Sequence, residues 1–250
     1  MSFIKGFIMS LGMYSIIPVP KKSWDDKCMH VLIPALPLVG VLIGFLWYGL
    51  SFVVSSLPFP LMIKSIFILF IPFILSGFIH LDGYMDTADA VFSRRSIDEK
   101  KRILKDPHVG AFAVIALAGL ILFQFGAVYT IIESQKDLLI FVLIPVVSRC
   151  IAGIAALRLK SVFETGYIKS YKKGTKIGHT VFICILIALC GTVAWLMLGI
   201  TALPLLAAVA TGIITTCYLY KQFQGISGDL SGCIITVSEL AALLCMAVVP

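Results

Sequence analysis

Long apolar runs separated by short polar stretches dominate the chain. Seven runs of roughly 17–25 residues, each long enough to cross a hydrocarbon core as a helix, fall near 31–57, 61–80, 109–133, 138–158, 179–199, 201–221 and 230–249. The pattern predicts an all-α, polytopic integral membrane protein of about seven transmembrane helices, forming a single membrane domain over 1–250. Pro34 and Pro37, early in the first run, predict a break or kink there. The short links Pro58-Phe59-Pro60 and Leu198-Gly199-Ile200 predict tight antiparallel hairpins. Met1 to Pro20 is apolar, with Lys5 near its start, but Ile16-Ile17-Pro18-Val19-Pro20-Lys21-Lys22 has no small-residue cleavage pattern. It is therefore expected to be a retained interfacial or short re-entrant helix rather than a signal peptide. No repeat of solenoid period and no low-complexity tract is present.

Composition agrees with this pattern. The chain is 60% hydrophobic and 13% charged with a mean hydropathy of +1.04, whereas soluble domains carry about 25% charged residues. Its seven cysteines are scattered through apolar runs without paired ligand spacing, so they are expected to be packing residues rather than a disulfide framework. The net charge of +7 gains meaning from its placement. Lys21–His30, Ser93–His108 and Leu159–Gly178 hold most of the lysines and arginines, while the opposite turns carry chiefly Lys64 and Lys136. Alternating the spans puts all three basic loops on one face, which the positive-inside rule makes cytoplasmic. Loops near 21–30, 81–108, 159–178 and 222–229 then share that side of the membrane, with Pro250 on the other. The lipid bilayer accounts for the basic charge, and no nucleic-acid partner is expected.

The candidate chemistry lies where the second run ends. Asp82, Asp86 and Asp89 stand at i, i+4 and i+7 in His80-Leu81-Asp82-Gly83-Tyr84-Met85-Asp86-Thr87-Ala88-Asp89. On a helix they share one face, within an arc of roughly 60°. Like charges packed so closely repel unless a cation lies between them, and an oxygen-loving divalent ion such as Mg²⁺ is the natural choice. One aspartate is also a candidate general base. In Gln224-Gly225-Ile226-Ser227-Gly228-Asp229, Gly225 and Gly228 allow close approach of backbone to a phosphate, and Asp229 is a helix cap or a further metal ligand. Glu239 and Arg149 both fall inside apolar runs; a structural ion pair and a phosphate-binding role for Arg149 are both open. The run Arg94-Arg95 to Lys105-Asp106 suits anionic lipid headgroups or a nucleotide's phosphates. His80, off the aspartate face on a continuous helix, is expected to support the site from behind.

Gly77-Phe78-Ile79-His80-Leu81-Asp82-Gly83-Tyr84-Met85-Asp86-Thr87-Ala88-Asp89-Ala90-Val91-Phe92, followed by Ile103-Leu104-Lys105-Asp106-Pro107-His108-Val109-Gly110, resembles the cobalamin synthase family. Ile17-Pro18-Val19-Pro20, Pro37-Leu38-Val39-Gly40, Ser148-Arg149 and Gly228-Asp229 with Glu239 extend the resemblance along the whole chain. It departs at Ala90, where the family commonly has glycine, and at His108, where arginine is frequent. The resemblance implies adenosylcobinamide-GDP ribazoletransferase activity. A ribose hydroxyl of α-ribazole or its 5′-phosphate attacks the diphosphate of adenosylcobinamide-GDP, and GMP leaves as adenosylcobalamin or its 5′-phosphate forms. Asp82, Asp86, Asp89 and Asp229 are then the expected Mg²⁺ ligands. His80, Lys105, Asp106, Arg149, Gly225, Gly228 and Glu239 are the expected substrate-binding residues. A second copy of the chain and other cobamide-assembly enzymes are candidate partners.

Two other classes use similar parts. A CDP-alcohol phosphotransferase also sets aspartates at a membrane boundary, but its usual Ala-Arg pair is replaced here by Ala88-Asp89. A divalent-cation transporter would distribute carboxylates through the membrane's depth rather than at one face.

Overall fold

The computed structural model describes residues 2–20, 24–163, 171–172 and 174–249. Among these, the fold is helical: α1 Ser2–Tyr14, α2 Met29–Ser56, α3 Leu61–Leu75, α4 Ile79–Phe92, α5 Ile97–Ile103, α6 Ala111–Glu133, α7 Ile144–Arg158, α8 Ile177–Leu198, α9 Leu203–Phe223 and α10 Gly228–Val248. Its extended pairing is one isolated parallel bridge, Ser161 to Ile226. Lys21, Lys22, Lys169 and Lys173 of the basic loops lie outside the described residues.

Five helical stretches are long and apolar enough to cross a membrane, or six when α3 and α4 count as one bent span, against about seven expected. The expected 61–80 span is interrupted: α3 and α4 meet at 91°. Gly77 and Phe78 take φ +63° and +60°, a left-handed step that ends one helix and starts the next. The elbow is nonetheless satisfied internally. The Ser76, Gly77 and Phe78 amides donate to Pro72, Ile74 and Phe73 carbonyls, and Ile16 N–H donates to the Leu75 carbonyl. The other difference is Ile177–Phe223, which forms one stretch of 47 residues. The 3₁₀ turn Gly199–Ala202 joins its halves, with Gly199 at φ +57°. At ~1.5 Å per residue this stretch would measure about 70 Å if straight, twice a hydrocarbon core. Its halves instead face one groove against α7, which Ile187 and Val209 both line.

The prolines of α2 do not interrupt it; Met29–Ser56 runs through Pro34 and Pro37. Pro34 removes only a bond to the carbonyl of His30, within the first turn. Farther along, Gly40 and Gly44 let α2 approach the backbone before and within α7. A Cβ there would stand 2.5 Å from the Pro145 carbonyl oxygen and 2.2 Å from that of Val142, the close approach that small residues four apart permit in membranes. Trp47 stacks on Phe141 at 4.1 Å between centroids and donates its indole N–H to the Ile68 carbonyl at 2.9 Å. At 13 residues, α1 is too short to span, and it packs on α2 through Gly6 and Val31.

Two ends result. At one, Lys64 Nζ donates to the Ser55 carbonyl at 2.7 Å, and Lys136 Nζ caps the C-terminus of α10 through Met246 and Ala247 carbonyls at 2.9 and 3.2 Å, favourable against the helix dipole. At the other end lie α4, α5, the Ser161–Phe163 segment and the Gln222–Asp229 turn, together with the described part of the basic loops.

Candidate active site

The elbow turns α4 across the end of the bundle, where it packs on the first turns of α10. Glycines set this crossing. A Cβ on Gly83 would lie 2.7 Å from the Asp229 carbonyl oxygen and 2.8 Å from its Cα; one on Gly232 would lie 3.0 Å from the His80 carbonyl oxygen. Thr236 Oγ1 donates to that same carbonyl at 3.2 Å. Asp229, carried in the first turn of α10 behind the Ser227 cap, is thereby brought beside the acidic face of α4.

The four expected aspartates do gather. The charges of Asp82, Asp229 and Asp89 all act on Asp86, and that of Asp82 acts on Asp229. Asp82 is exposed and the other three are partly buried. Asp89 rests on the N-cap of α6, where a Cβ on Gly110 would fall 2.1 Å from Oδ1. The positive end of that helix favours a carboxylate. Among the described residues, no three His, Cys, Asp or Glu side chains close on one point tightly enough to hold an ion by themselves. That geometry does not suit a dedicated protein cage. The aspartates' carboxylate oxygens are donors of the kind that hard divalent cations take.

Beside the carboxylates opens a cavity of about 390 Å³ between α1, α2, α4, α7 and α10. Asp82, Asp229, Ser227, Ser231 and Ser161 stand among its lining residues, and so does His80. The remaining lining is mostly apolar or aromatic, including Tyr14, Ile33, Phe163 and Ile235. Ala152 and Ala156, one turn apart on α7, leave the space open. His80 is buried on a continuous α4, as expected, but it lines this cavity together with Asp82 and stacks on Tyr14 at 6.2 Å. Its Nε2 is buried without a hydrogen-bond partner.

The other expected residues divide. Lys105 reaches the cavity's edge, with Nζ 4.2 Å from the Phe163 ring centroid, a cation–π contact. Asp106 is exposed and turned to His108, accepting from its amide at 3.0 Å and meeting Nδ1 at 2.6 Å. The imidazole's contact holds this carboxyl below its usual range. Gly228 is open, with nothing within 4 Å of a Cβ. Gly225 is not: the Ser161–Val162 backbone occupies the approach, 2.7 Å from a Cβ, and Ile226 N–H donates to the Lys160 carbonyl at 2.8 Å. Its small size serves a close chain crossing. Arg149 and Glu239 form the ion pair, at 2.7 Å and 1% and 6% exposed. Ser148 Oγ donates to the same Glu239 oxygen at 2.9 Å and the Pro145 carbonyl accepts from Arg149 at 3.1 Å. So buried and engaged, the guanidinium ties α7 to α10 and is not presented to a phosphate.

Sequence reasoning missed the cavity and the residues that shape it, Tyr14, Ala152, Ala156, Phe163, Ser227 and Ser231. Gly83 in α4 and Gly232 in α10, glycines inside helices, were the readable sign of a close helix crossing.

Fold and site together define a helical integral membrane protein with an acidic, half-apolar cleft at one end of its bundle. Residues 6–247 match the family described as cobalamin-5-phosphate synthase. A protein of Clostridium perfringens named adenosylcobinamide-GDP ribazoletransferase is 36% identical over 250 residues, 99% of both chains. Proteins of the same name from Lachnoclostridium phytofermentans and Geobacillus thermodenitrificans are 32% and 31% identical, covering 99% and 94% of this chain and 95% and 92% of theirs. No solved structure matches. The chain belongs to the cobalamin-5-phosphate synthase family.

Proposed function

We propose that this protein transfers the adenosylcobinamide phosphate moiety of adenosylcobinamide-GDP to α-ribazole or its 5′-phosphate, the last assembly step of cobalamin. A bond forms between a ribose oxygen of the acceptor and the phosphorus that carries cobinamide. The bond from that phosphorus to the bridging oxygen of GMP breaks, and the hydroxyl loses its proton. The carrying observation is the α4–α10 crossing, which sets Asp82 and Asp229 on the wall of a cavity with Asp86 and Asp89 alongside, in a chain of this family.

Phosphoryl transfer needs positioning and charge neutralisation more than covalent help. Asp82, Asp86, Asp89 and Asp229 are the carboxylates from which Mg²⁺ would take its protein ligands, one or two at a time beside phosphate and water, and the bound ion would offset the charge of the diphosphate. Asp82 or Asp229, both lining the cavity, accepts the hydroxyl proton. Lys105, at the cavity's edge, is placed to meet a phosphate oxygen. Arg149 and Glu239 act as positioning residues, holding the helix that carries Asp229. The end bearing α4 and the basic loops faces the cytoplasm of a bacterial inner membrane, where the positive-inside rule puts it.

The test is GMP release by detergent-purified protein given adenosylcobinamide-GDP and α-ribazole, with Mg²⁺ or with EDTA. Wild type should release GMP only with Mg²⁺, and Asp82→Asn should lose nearly all of it. No GMP from folded wild type would refute the assignment.

A further inference from the structure

The reaction joins two ligands of very different size, and the cavity can take only one. We infer that it is the seat of the acceptor's aromatic base, with the attached ribose directed at Asp82 and Asp229; this rests on the reading above. At about 390 Å³ the cavity lies toward the small end of drug-sized pockets, roughly 300–1,000 Å³. It has room for a nucleoside but not for a corrin macrocycle with its side chains.

Two bases compete for such a space, the guanine of the donor and the benzimidazole of the acceptor. Guanine carries an amide, an exocyclic amine and ring acceptors, all of which need partners once buried. Away from its carboxylate end the cavity offers the polar atoms of Tyr14, His80, Ser161 and Tyr171 only, while Ile33, Leu36, Ala152, Ala156 and Ile235 contribute apolar side chains. A dimethylbenzimidazole is mostly hydrocarbon and suits these walls. The stacked Tyr14 and His80 rings and the Phe163 ring supply aromatic surfaces for a flat base. Asp82, Asp229, Ser227 and Ser231 gather where ribose hydroxyls need acceptors, so one bound pose satisfies both halves of the nucleoside. The guanosine and corrin then lie outside, toward Lys105 and the basic loops.

The inference predicts a split between the two substrates. Ala156→Leu fills the cavity and Ile33→Ala enlarges it, and the KM of each substrate is measured by GMP release at saturating levels of the other. Ala156→Leu should raise the KM for α-ribazole by about tenfold or more, the scale of a few methylenes in a tight pocket, and leave that for adenosylcobinamide-GDP within about twofold. It should also shift preference toward a nucleoside whose benzimidazole lacks the methyl groups, while Ile33→Ala shifts preference toward bulkier bases. If Ala156→Leu is too unstable to assay, the Ile33→Ala preference decides alone. A rise in the donor's KM instead would give the cavity to guanine and overturn the inference. Unchanged constants in both variants would overturn it too, leaving the space to lipid. Absence of GMP from wild type is a separate result, which removes the reading on which the inference stands.

Discussion

Replacing Gly83 by alanine adds one methyl group at the place where α4 lies on α10. That carbon would sit 2.7 Å from the Asp229 carbonyl oxygen, 2.8 Å from its Cα and 3.1 Å from its carbonyl carbon. All three atoms are backbone, so no side-chain rotation relieves the clash. Restoring ordinary contact needs α4 to retreat by about 0.7 Å. Overpacking of this kind costs about 1–3 kcal/mol, offset by about 1 kcal/mol from alanine's better helix propensity. The variant should therefore fold, with a modest loss of thermal stability. Catalysis should suffer far more, because the retreat separates Asp82 and Asp86 from Asp229, and a misplacement of about 1 Å costs on the order of 100-fold in rate. The assay is kcat for GMP release alongside a melting curve. Gly119→Ala on α6, where nothing lies within 4 Å of a Cβ, is the control and should match wild type. A Gly83→Ala enzyme with wild-type kcat would refute the claim that this crossing aligns the carboxylates.

Glu239→Leu strands Arg149 in the interior and should destabilise the fold by about 3–5 kcal/mol; Arg149→Met added to it should restore most of the loss in the same melting assay. Gly110→Ala pushes on the flexible end of Asp89 rather than on backbone, so melting should hardly change while GMP release falls by about 10–100-fold. In EDTA, Asp86→Asn should melt above wild type, since it removes a charge disfavoured first by burial and then by repulsion from Asp82, Asp229 and Asp89. Mg²⁺ at about 100 times its Kd should then stabilise wild type by about 2.7 kcal/mol and Asp86→Asn by much less. An Asp86→Asn protein that melts lower in EDTA would show that the cluster is not under electrostatic strain.

The helices of this protein are legible because each apolar run is long and bounded by charged or turn residues. The aspartate face followed from spacing alone, and the Arg149–Glu239 pair was one of two outcomes that intramembrane charges allow. The elbow was harder to see. Apolar residues continue through Ser76, Gly77 and Phe78 to Ile79, so hydropathy reads straight across a right-angled turn, with Pro72 and Gly77 its faint marks. At Gly225 a glycine beside a candidate phosphate site packs against the Ser161–Val162 backbone, and only the tertiary fold reveals which backbone comes close. The cavity was illegible for a related reason. Ala152 and Ala156 carry the spacing of a helix-packing face, and nothing in their sequence says that no helix fills the place in front of them.

The elbow also relates this site to the membrane around it. With 15 residues, α3 rises only about 22 Å, short of a hydrocarbon layer of about 30 Å. The amides of the joint are paired internally, so it needs no water to satisfy them where it meets the hydrocarbon. Hydrophobic mismatch then bears on the helix that carries three of the four aspartates. The acidic cleft is thus carried on a helix joined to the bundle through one short span and a turn that needs no outside partner for its amides.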